Sequence, residues 1–431
     1  MKYPIALFLS LCATGLFAQA ILTADDAVRI AVEKNHGIRM ARLDARSAEL
    51  LNNAGQAGML PTLDAVGSYT LDNSSTKQTF FSGEVREADN ADSRVLDGAV
   101  QLNWTIFDGL AMFAAKDRLE ALEVIGQTRL RQEVEATVYD VLAAYYQVVQ
   151  LRKGIAVQRE GVRISEERLV IARAGQRIGS ASGLAVVQAQ LDQSADSAAV
   201  LDLLVQESAA VARVNALMGN APATELELAT EIPATQPMEF GQIQQAARNA
   251  NSALQLARQE RIAADFSVKQ LRGALLPQVD VFGNYGYTKS TSAVGFLQSN
   301  QSIGPDYGAR ISIPLFNGAQ ANKALQVAKL SREQAAISTE QAELMLEESL
   351  LNAWTDHTTA NQRVALEESN LGGARTQTNV ALESYRLGAI TAVELREVQQ
   401  GLIAAEQRLL AAQYEAKLAE LQLKWLAGEL P

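Results

Sequence analysis

Glu394 and Glu397 stand three residues apart, just after the run Leu387-Gly388-Ala389-Ile390-Thr391. That spacing puts both on one helix face, and the Gly-containing run predicts a turn directly before them. Copies of this pair converging in an oligomer would repel one another, so that some would have raised pKa values and a cation could bridge them. On an outer helix face they would simply be solvated. Other residues able to do chemistry are few. Cys12 is the single cysteine, which excludes a disulfide framework and any Cys-based zinc or iron–sulfur site. His36 and His357 are the two histidines, each inside a predicted helix, so no His-rich metal centre is expected. Glu347-Glu348 and Glu367-Glu368 are adjacent pairs that point to different sides of a helix and read as solvated faces. The chain contains no G-x-x-x-x-G-K, G-x-S-x-G or H-E-x-x-H. The expectation is a non-enzyme with no cofactor and no metal.

The elements that position these residues follow from composition and pattern. The chain has 431 residues, 48% hydrophobic and 20% charged, enough apolar material for a large core. Nine prolines leave room for long unbroken helices. A net charge of −11 argues against nucleic acid as a partner, since that needs a basic footprint. Residues 1–20 read as a secretory leader: Lys2, an apolar stretch over 5–17, and Ala18-Gln19-Ala20 as a cleavage signal. Cys12 follows Leu11 in mid-run, an unsuitable place for a lipid anchor. No later run of 18 apolar residues exists, so a membrane span would have to be made of strands.

The chain is written twice. Phe107-Asp108-Gly109 matches Phe316-Asn317-Gly318, Arg177-Ile178-Gly179 matches Arg386-Leu387-Gly388, and Leu217-Met218-Gly219 matches Leu426-Ala427-Gly428, all at an offset of 209. Met59-Leu60-Pro61 matches Leu275-Leu276-Pro277 at 216. One constant register across Gly and Pro landmarks signals duplication.

Each copy predicts a helix, a strand pair, a very long helix, a short break and a second helix. After the leader the expected segments are a helix over 21–60, a strand pair over 61–109 and a helical hairpin over 110–219. A linker over 220–241 follows, then a helix over 242–276, a strand pair over 277–318 and a second hairpin over 319–431. The first helix is expected to run unbroken to Pro61. After each Leu-Pro the period changes from 3.6 to 2. Leu63, Ala65, Gly67, Tyr69 and Leu71 alternate with polar neighbours, as do Val100, Leu102 and Trp104 on the return. In the second copy Val279, Val281, Gly283, Tyr285 and Tyr287 alternate in the same way, with Tyr307, Ala309, Ile311, Ile313 and Leu315 on the return. Strands of about 10 residues, with one apolar aromatic face, have the length of a tilted transmembrane β-strand. Tyr69, Trp104, Tyr285, Tyr287 and Tyr307 are the expected lipid-facing aromatics; Asp64, Asn103, Asp280 and Arg310 are expected on the opposite, lumenal face. The polar stretches 73–97 and 289–306 read as loops. Gly179 and Gly388 mark the hairpin turns.

Four strands cannot close a barrel, and open edges are not tolerated in lipid. An oligomer of two or three copies must complete it. The rival reading is an exported coiled-coil scaffold or adhesin-like protein with a soluble β cap, which leaves the two matched amphipathic strand pairs unexplained.

On the duplication, the Leu60-Pro61 and Leu276-Pro277 entries, the Phe107-Asp108-Gly109 and Phe316-Asn317-Gly318 exits, and the run Tyr385-Arg386-Leu387-Gly388-Ala389-Ile390-Thr391 followed by Val393-Glu394-Leu395, the chain resembles the TolC family of outer-membrane factors. The resemblance implies a mainly α protein with a membrane β-barrel: a homotrimer with a 12-strand barrel joined to a 12-helix periplasmic tunnel. It implies an outer-membrane exit duct for efflux or type I secretion, docked through a periplasmic adaptor to an inner-membrane RND or ABC transporter. It also implies a periplasmic gate at the hairpin ends, with Glu394 and Glu397 at the family's acidic ring and Tyr385 at its conserved-position tyrosine. Ala185 and Ile390 replace the Asp and Arg that usually complete that lock. Closure is therefore expected to rest on helix packing and Tyr385, with fewer salt bridges.

Overall fold

The structure is a computed structural model describing residues 21–294 and 297–430; the expected leader over 1–20 lies outside the described residues. One series of elements runs α1 (Ala24–Lys34), α2 (His36–Leu51), β1 (Thr62–Thr79), β2 (Val85–Phe107), α3 (Ala111–Arg177) and α4 (Gly183–Leu217). The second runs α5 (Phe240–Ala250), α6 (Ser252–Gly273), β3 (Gln278–Ser292), β4 (Ser299–Ser312), α7 (Gln320–Arg386) and α8 (Ala392–Ala427). The backbone carries the duplication too. Gly109 and Gly318, Gly179 and Gly388, and Gly219 and Gly428 all have positive φ, each pair at the offset of 209. Leu110 and Ala319, one residue past the first pair, share that left-handed conformation although neither is glycine.

The chain divides into two compact units. The first comprises residues up to 39, 134–245 and 349 onward. Its core gathers Ala27 and Ala31 of α1, Val138, Val141, Tyr145 and Val148 of α3, Val214 of α4, and Met218 just beyond it. Tyr145 is buried, yet its hydroxyl is satisfied: it donates to Leu22 O (2.8 Å) and accepts from Ala229 N (3.1 Å). This ties both the N-terminal segment and the inter-repeat linker to α3, beside a parallel bridge between Leu22 and Leu228. On α8 the buried positions Ala405, Ala412, Ala416, Ala419, Leu423 and Leu426 recur at steps of seven, four and three. That is a coiled-coil seam, and its alanines let partner helices approach closely.

The second unit comprises residues 40–133 and 246–348. It holds one antiparallel sheet of order β1-β2-β3-β4, so the β2–β3 pairing joins the two repeats and β1 and β4 are its edges. Beside the sheet, Ile125 and Ala121 of α3 pack with Ala263 of α6. Gly109, at the exit from β2, lies against α6, where an added Cβ would come within 2.5 Å of Gly273 O. Glycine is required there twice over, by contact and by φ.

Several expectations are corrected. The first helix is not continuous to Pro61. Asn35 breaks it, accepting from Gly37 N (2.7 Å) and Ile38 N (3.2 Å) to start α2, and α2 ends at Leu51. Asn251 does the same between α5 and α6, accepting from Leu254 N (3.0 Å). The strands are longer than about 10 residues, at 18, 23, 15 and 14. Most of 73–97 is therefore strand, with the turn confined to 80–84, and most of 289–306 is strand as well. β4 ends at Ser312, so Ile313, Pro314 and Leu315 lie beyond it and Pro314 removes no ladder bond.

Candidate functional site

Two places carry the candidate residues, one in each unit. In the first unit, the α3–α4 and α7–α8 hairpins turn through Gly179 (φ 81°) and Gly388 (φ 72°). Ser180 N donates to Gly175 O and Ala389 N to Ser384 O, both at 2.8 Å, closing each α3 or α7 end with a Schellman-type bond. α4 starts at the Ser182 cap, whose hydroxyl accepts from Ala185 N (3.2 Å). α8 starts with a full capping box. Thr391 Oγ1 accepts from Glu394 N (3.2 Å), and Glu394 Oε2 accepts from Thr391 N (2.7 Å) and Thr391 Oγ1 (2.9 Å). Within one protomer these bonds hold the Glu394 carboxyl below its ordinary range. Glu397, three residues on, is exposed. Tyr385 is half-buried and lines a cleft of about 830 Å³ between the hairpins, together with Ala185, Ile390, Val393 and Arg396.

One group that the sequence reading missed lies at the base of this cleft. Arg396 of α8 reaches Asp196 of α4 with two bonds, Nη1 to Oδ2 at 2.5 Å and Nη2 to Oδ1 at 2.6 Å. Ser165 of α3 donates to Asp196 Oδ2 and accepts from Arg396 Nη1 at 3.2 Å. Arg168, one turn further along α3, donates to Asp192 Oδ2 (3.1 Å) and to Ala392 O (3.2 Å). All four charged side chains are at most 14% exposed. The two arginines and two aspartates balance, and they join three helices. Two or three turns inside the positions of Ala185 and Ile390, helix packing and Tyr385 are thus joined by a buried four-charge clasp. Neither partner is recognisable locally, because 200 residues separate Arg396 from Asp196.

A second correction concerns Glu367. It is not on a solvated face; its side chain is 11% exposed and accepts from Arg408 of α8 (3.1 Å). Its neighbour pair does include a surface bridge, Arg248 to Glu347 at 2.6 Å. His36 is exposed, whereas His357 is buried with both ring nitrogens unpartnered. Among the described residues no group of acidic, His or Cys side chains is arranged to hold a metal.

In the second unit the register sorts the sheet into two faces. One row runs Leu63, Leu102, Gly283, Tyr307; the next Ala65, Val100, Tyr285, Pro305; the next Gly67, Gly98, Tyr287, Ile303. Tyr69 pairs with Leu96 and Trp104 with Val281 on the same face. The five aromatics Tyr69, Trp104, Tyr285, Tyr287 and Tyr307 therefore share one face. Trp104 satisfies its indole N–H on Met59 O (3.0 Å). The other face carries Asp64, Asp72, Asp97, Asp280 and Asp306 with Arg310 and Asn103. Its carboxylates are hydrogen-bonded across strands: Thr105 donates to Asp280 (2.7 Å), Thr288 to Asp97 (2.7 Å) and Asn284 to Asp306 (2.8 Å). Phe282 is the aromatic residue on this face, where Val66, Val95 and Ala99 are also apolar. It lies over Gly308, with the Arg310 guanidinium 5.5 Å from its ring centre. Among the described residues no helix is long and apolar enough to cross a membrane.

Comparison with known proteins bears on the whole chain. The family described as outer membrane efflux protein matches residues 27–220 and 243–429. The outer membrane efflux protein BepC of Brucella suis is 23% identical, over 100% of this chain and 91% of that one. The alkaline protease secretion protein AprF of Pseudomonas aeruginosa is also 23% identical, over 100% and 89%. The fold is that of the Campylobacter jejuni CmeC outer membrane channel, with a TM-score of 0.81 at 13% identity over 100% of this chain and 94% of that one. With the paired helical hairpins and the two-faced sheet, these matches establish that the chain belongs to the outer membrane efflux protein family and has its place in the outer membrane.

Proposed function

We propose that the chain is a passive exit duct of a tripartite efflux or type I secretion system, working as a homotrimer. The observation that carries this is the sheet: four strands, one apolar aromatic face, one acidic hydrogen-bonded face, and two unpaired edges. Unpaired backbone groups in lipid cost several kcal/mol each, so β1 and β4 need partners. The duplication says which. β2 of the first repeat pairs with β3 of the second within one chain. The equivalent pairing sets β4 of one chain against β1 of the next, a head-to-tail contact that closes into a ring. Three chains give twelve strands, with the aromatic face toward lipid and the aspartate face toward the lumen. The helical hairpins then form the periplasmic tunnel, and their tips meet a periplasmic adaptor that connects to an RND or ABC transporter in the inner membrane. BepC is by its name an efflux protein and AprF a secretion protein; both uses fit one conduit.

The register of the proposed contact is specific. Thr62 pairs with Asn103 and Gln278 with Ser312, so the two strand pairs have the same internal register at offsets of 216 and 209. Carrying the β2–β3 register across these offsets places Ser312 of one chain opposite Val66 of the next. The variant Val66→Cys with Ser312→Cys should form disulfide-linked trimers in outer membranes, while Val66→Cys with Arg310→Cys should link poorly. A solubilised protein of monomer mass that still sits in membranes, with no cross-linked species, overturns the reading.

A further inference from the structure

The apolar face of the sheet ends in two cations. Going up the strands from Leu63, the fourth row is Tyr69, Leu96, Lys289, Gln301 and the fifth is Leu71, Arg94, Thr291, Ser299. Lys289 and Arg94 are thus diagonal neighbours on β3 and β2, roughly 7–8 Å apart by the usual spacing of such pairs. Both are exposed. The other cations of this hairpin region have carboxylate partners: Lys77 is bridged to Glu87, and Arg86 to Glu84 (2.9 Å). Among the described residues no carboxylate lies within ion-pair distance of Lys289 or Arg94. The nearest acid along the same strand and face, Asp92, instead accepts from Asn73 Nδ2 at 2.7 Å.

Position gives this pair its meaning. From Trp104 to Arg94 on β2 is ten residues, about 33 Å along a strand, which at a tilt of about 40° rises about 25 Å, the height of the apolar band of an outer-membrane barrel. The cations therefore stand at the rim of that band, on the side of the sheet toward the 80–84 turn and away from the helices that follow Phe107. Isolated cations at a lipid boundary cost desolvation unless an anion meets them. Tyr287, two residues before Lys289 on the same face, supplies an amphipathic ring at that level.

We propose that Arg94 and Lys289 form a binding site for the phosphate groups of outer-leaflet lipid, specifically a glycolipid whose headgroup carries phosphate monoesters. Two long cationic side chains on diagonal positions, near enough to converge on one phosphorylated headgroup, with apolar surface directly beneath them for acyl chains, match such a lipid. They do not match a free anion, which would leave that apolar surface unused. The trimer would present three such sites. This inference rests on the reading that the aromatic face meets lipid.

The test uses full-chain protein, detergent-solubilised and delipidated, with bis-phosphorylated lipid A as probe and native mass spectrometry as readout. The parent protein should retain the lipid and lose it when the probe's phosphates are removed. Each cation near an anionic lipid surface contributes enough that removing two should weaken retention by roughly ten- to thirty-fold. Arg94→Gln with Lys289→Gln should show that loss and still assemble; Lys77→Gln, whose lysine already has Glu87, should not show it. Inorganic phosphate at millimolar concentration should not compete. Competition by inorganic phosphate, or equal retention by the double variant, overturns the site. Leu102→Cys with a lipid-phase thiol reagent separates the two levels: labelling together with unchanged retention removes only the phosphate site, while no labelling removes the lipid-face reading as well.

Discussion

Arg396 and Asp196, 200 residues apart in sequence, are joined by two charge-assisted hydrogen bonds of 2.5 and 2.6 Å, and both side chains are at most 12% exposed. A bidentate guanidinium–carboxylate pair of this kind fixes orientation as well as distance. With Arg168, Asp192 and Ser165 it ties the turn ends of the two hairpins together within one protomer.

Removing one member leaves a buried charge without its partner. Arg396→Ala should therefore destabilise the first unit by about 3–5 kcal/mol, read as a lowered denaturant midpoint. Arg396→Lys should recover only part of this, because an ammonium cannot make the two parallel bonds. In lipid bilayers the Ala variant should conduct more than the parent, as its hairpins are no longer held together. Unchanged stability and unchanged conductance in both variants would show the cluster to be incidental.

That cluster also shows where sequence reading stops. Gly179, Gly388 and the Leu-Pro entries are legible because each is a local conformational demand written in one or two residues. The faces of the sheet are legible because Tyr69, Val100 and Tyr285 alternate with polar residues at period two. Beyond Leu71 the residues are mostly polar on both faces, the alternation lapses, and 73–97 looks like loop although it is mostly strand. Asn35 breaks a helix by capping the next one, a signal present in Asn-His-Gly but weaker than the apolar period running through it. The partnership of Ser165, Asp196 and Arg396 exists only in three dimensions.

The strand faces give a directional prediction. Leu102, between Leu63 and Gly283 on the aromatic face, should not tolerate a charge: Leu102→Arg should cost about 2–4 kcal/mol if it falls near the bilayer midplane. Asn103 is its neighbour on the other face, and Asn103→Arg should leave assembly intact while reducing cation preference. Heat-modifiable migration of the trimer on gels reads the first effect and reversal potentials the second. Solvent-phase labelling of Leu102→Cys, with Asn103→Cys protected, would invert the assignment.

His357 makes stability depend on pH. It is buried beside Trp354, 5.9 Å between ring centres, and burial holds its pKa below the ordinary value against the opposing pull of Glu420. Glu420 is itself fully buried and engaged by Lys417 (2.8 Å) and Lys424 (2.7 Å). A histidine with a lowered folded pKa takes up its proton more readily in the unfolded chain. Its contribution is therefore complete above about pH 6.5 and is lost as pH falls below that value. Urea midpoints measured from pH 8 down to pH 5 should decline, and His357→Leu should flatten the decline at little cost at pH 8, since both ring nitrogens lack partners. An equal decline in the variant would assign it to other groups.

The last prediction concerns the carboxylates at the start of α8. Glu394 and Glu397 share a helix face one turn past Gly388, but they are not equivalent. Both are exposed, but Glu394 already closes the capping box with Thr391. In a trimer three copies of each would converge near the tunnel end, where like charges favour cations and disfavour anions. Because part of the charge of Glu394 is spent on the helix N-terminus, Glu397 should dominate block by divalent cations. Glu394→Gln keeps an acceptor and so keeps the cap, whereas Glu394→Ala should loosen the start of α8 by about 0.5–1 kcal/mol, within the range of a lost cap. Single-channel recordings should then show a graded series: Glu394→Gln weakens divalent block slightly, Glu397→Gln more, and the double change most, with cation preference falling in the same order. If the double variant matches the parent in both block and selectivity, these glutamates lie on an outer helix face, and the constriction belongs to the clasp and Tyr385 alone.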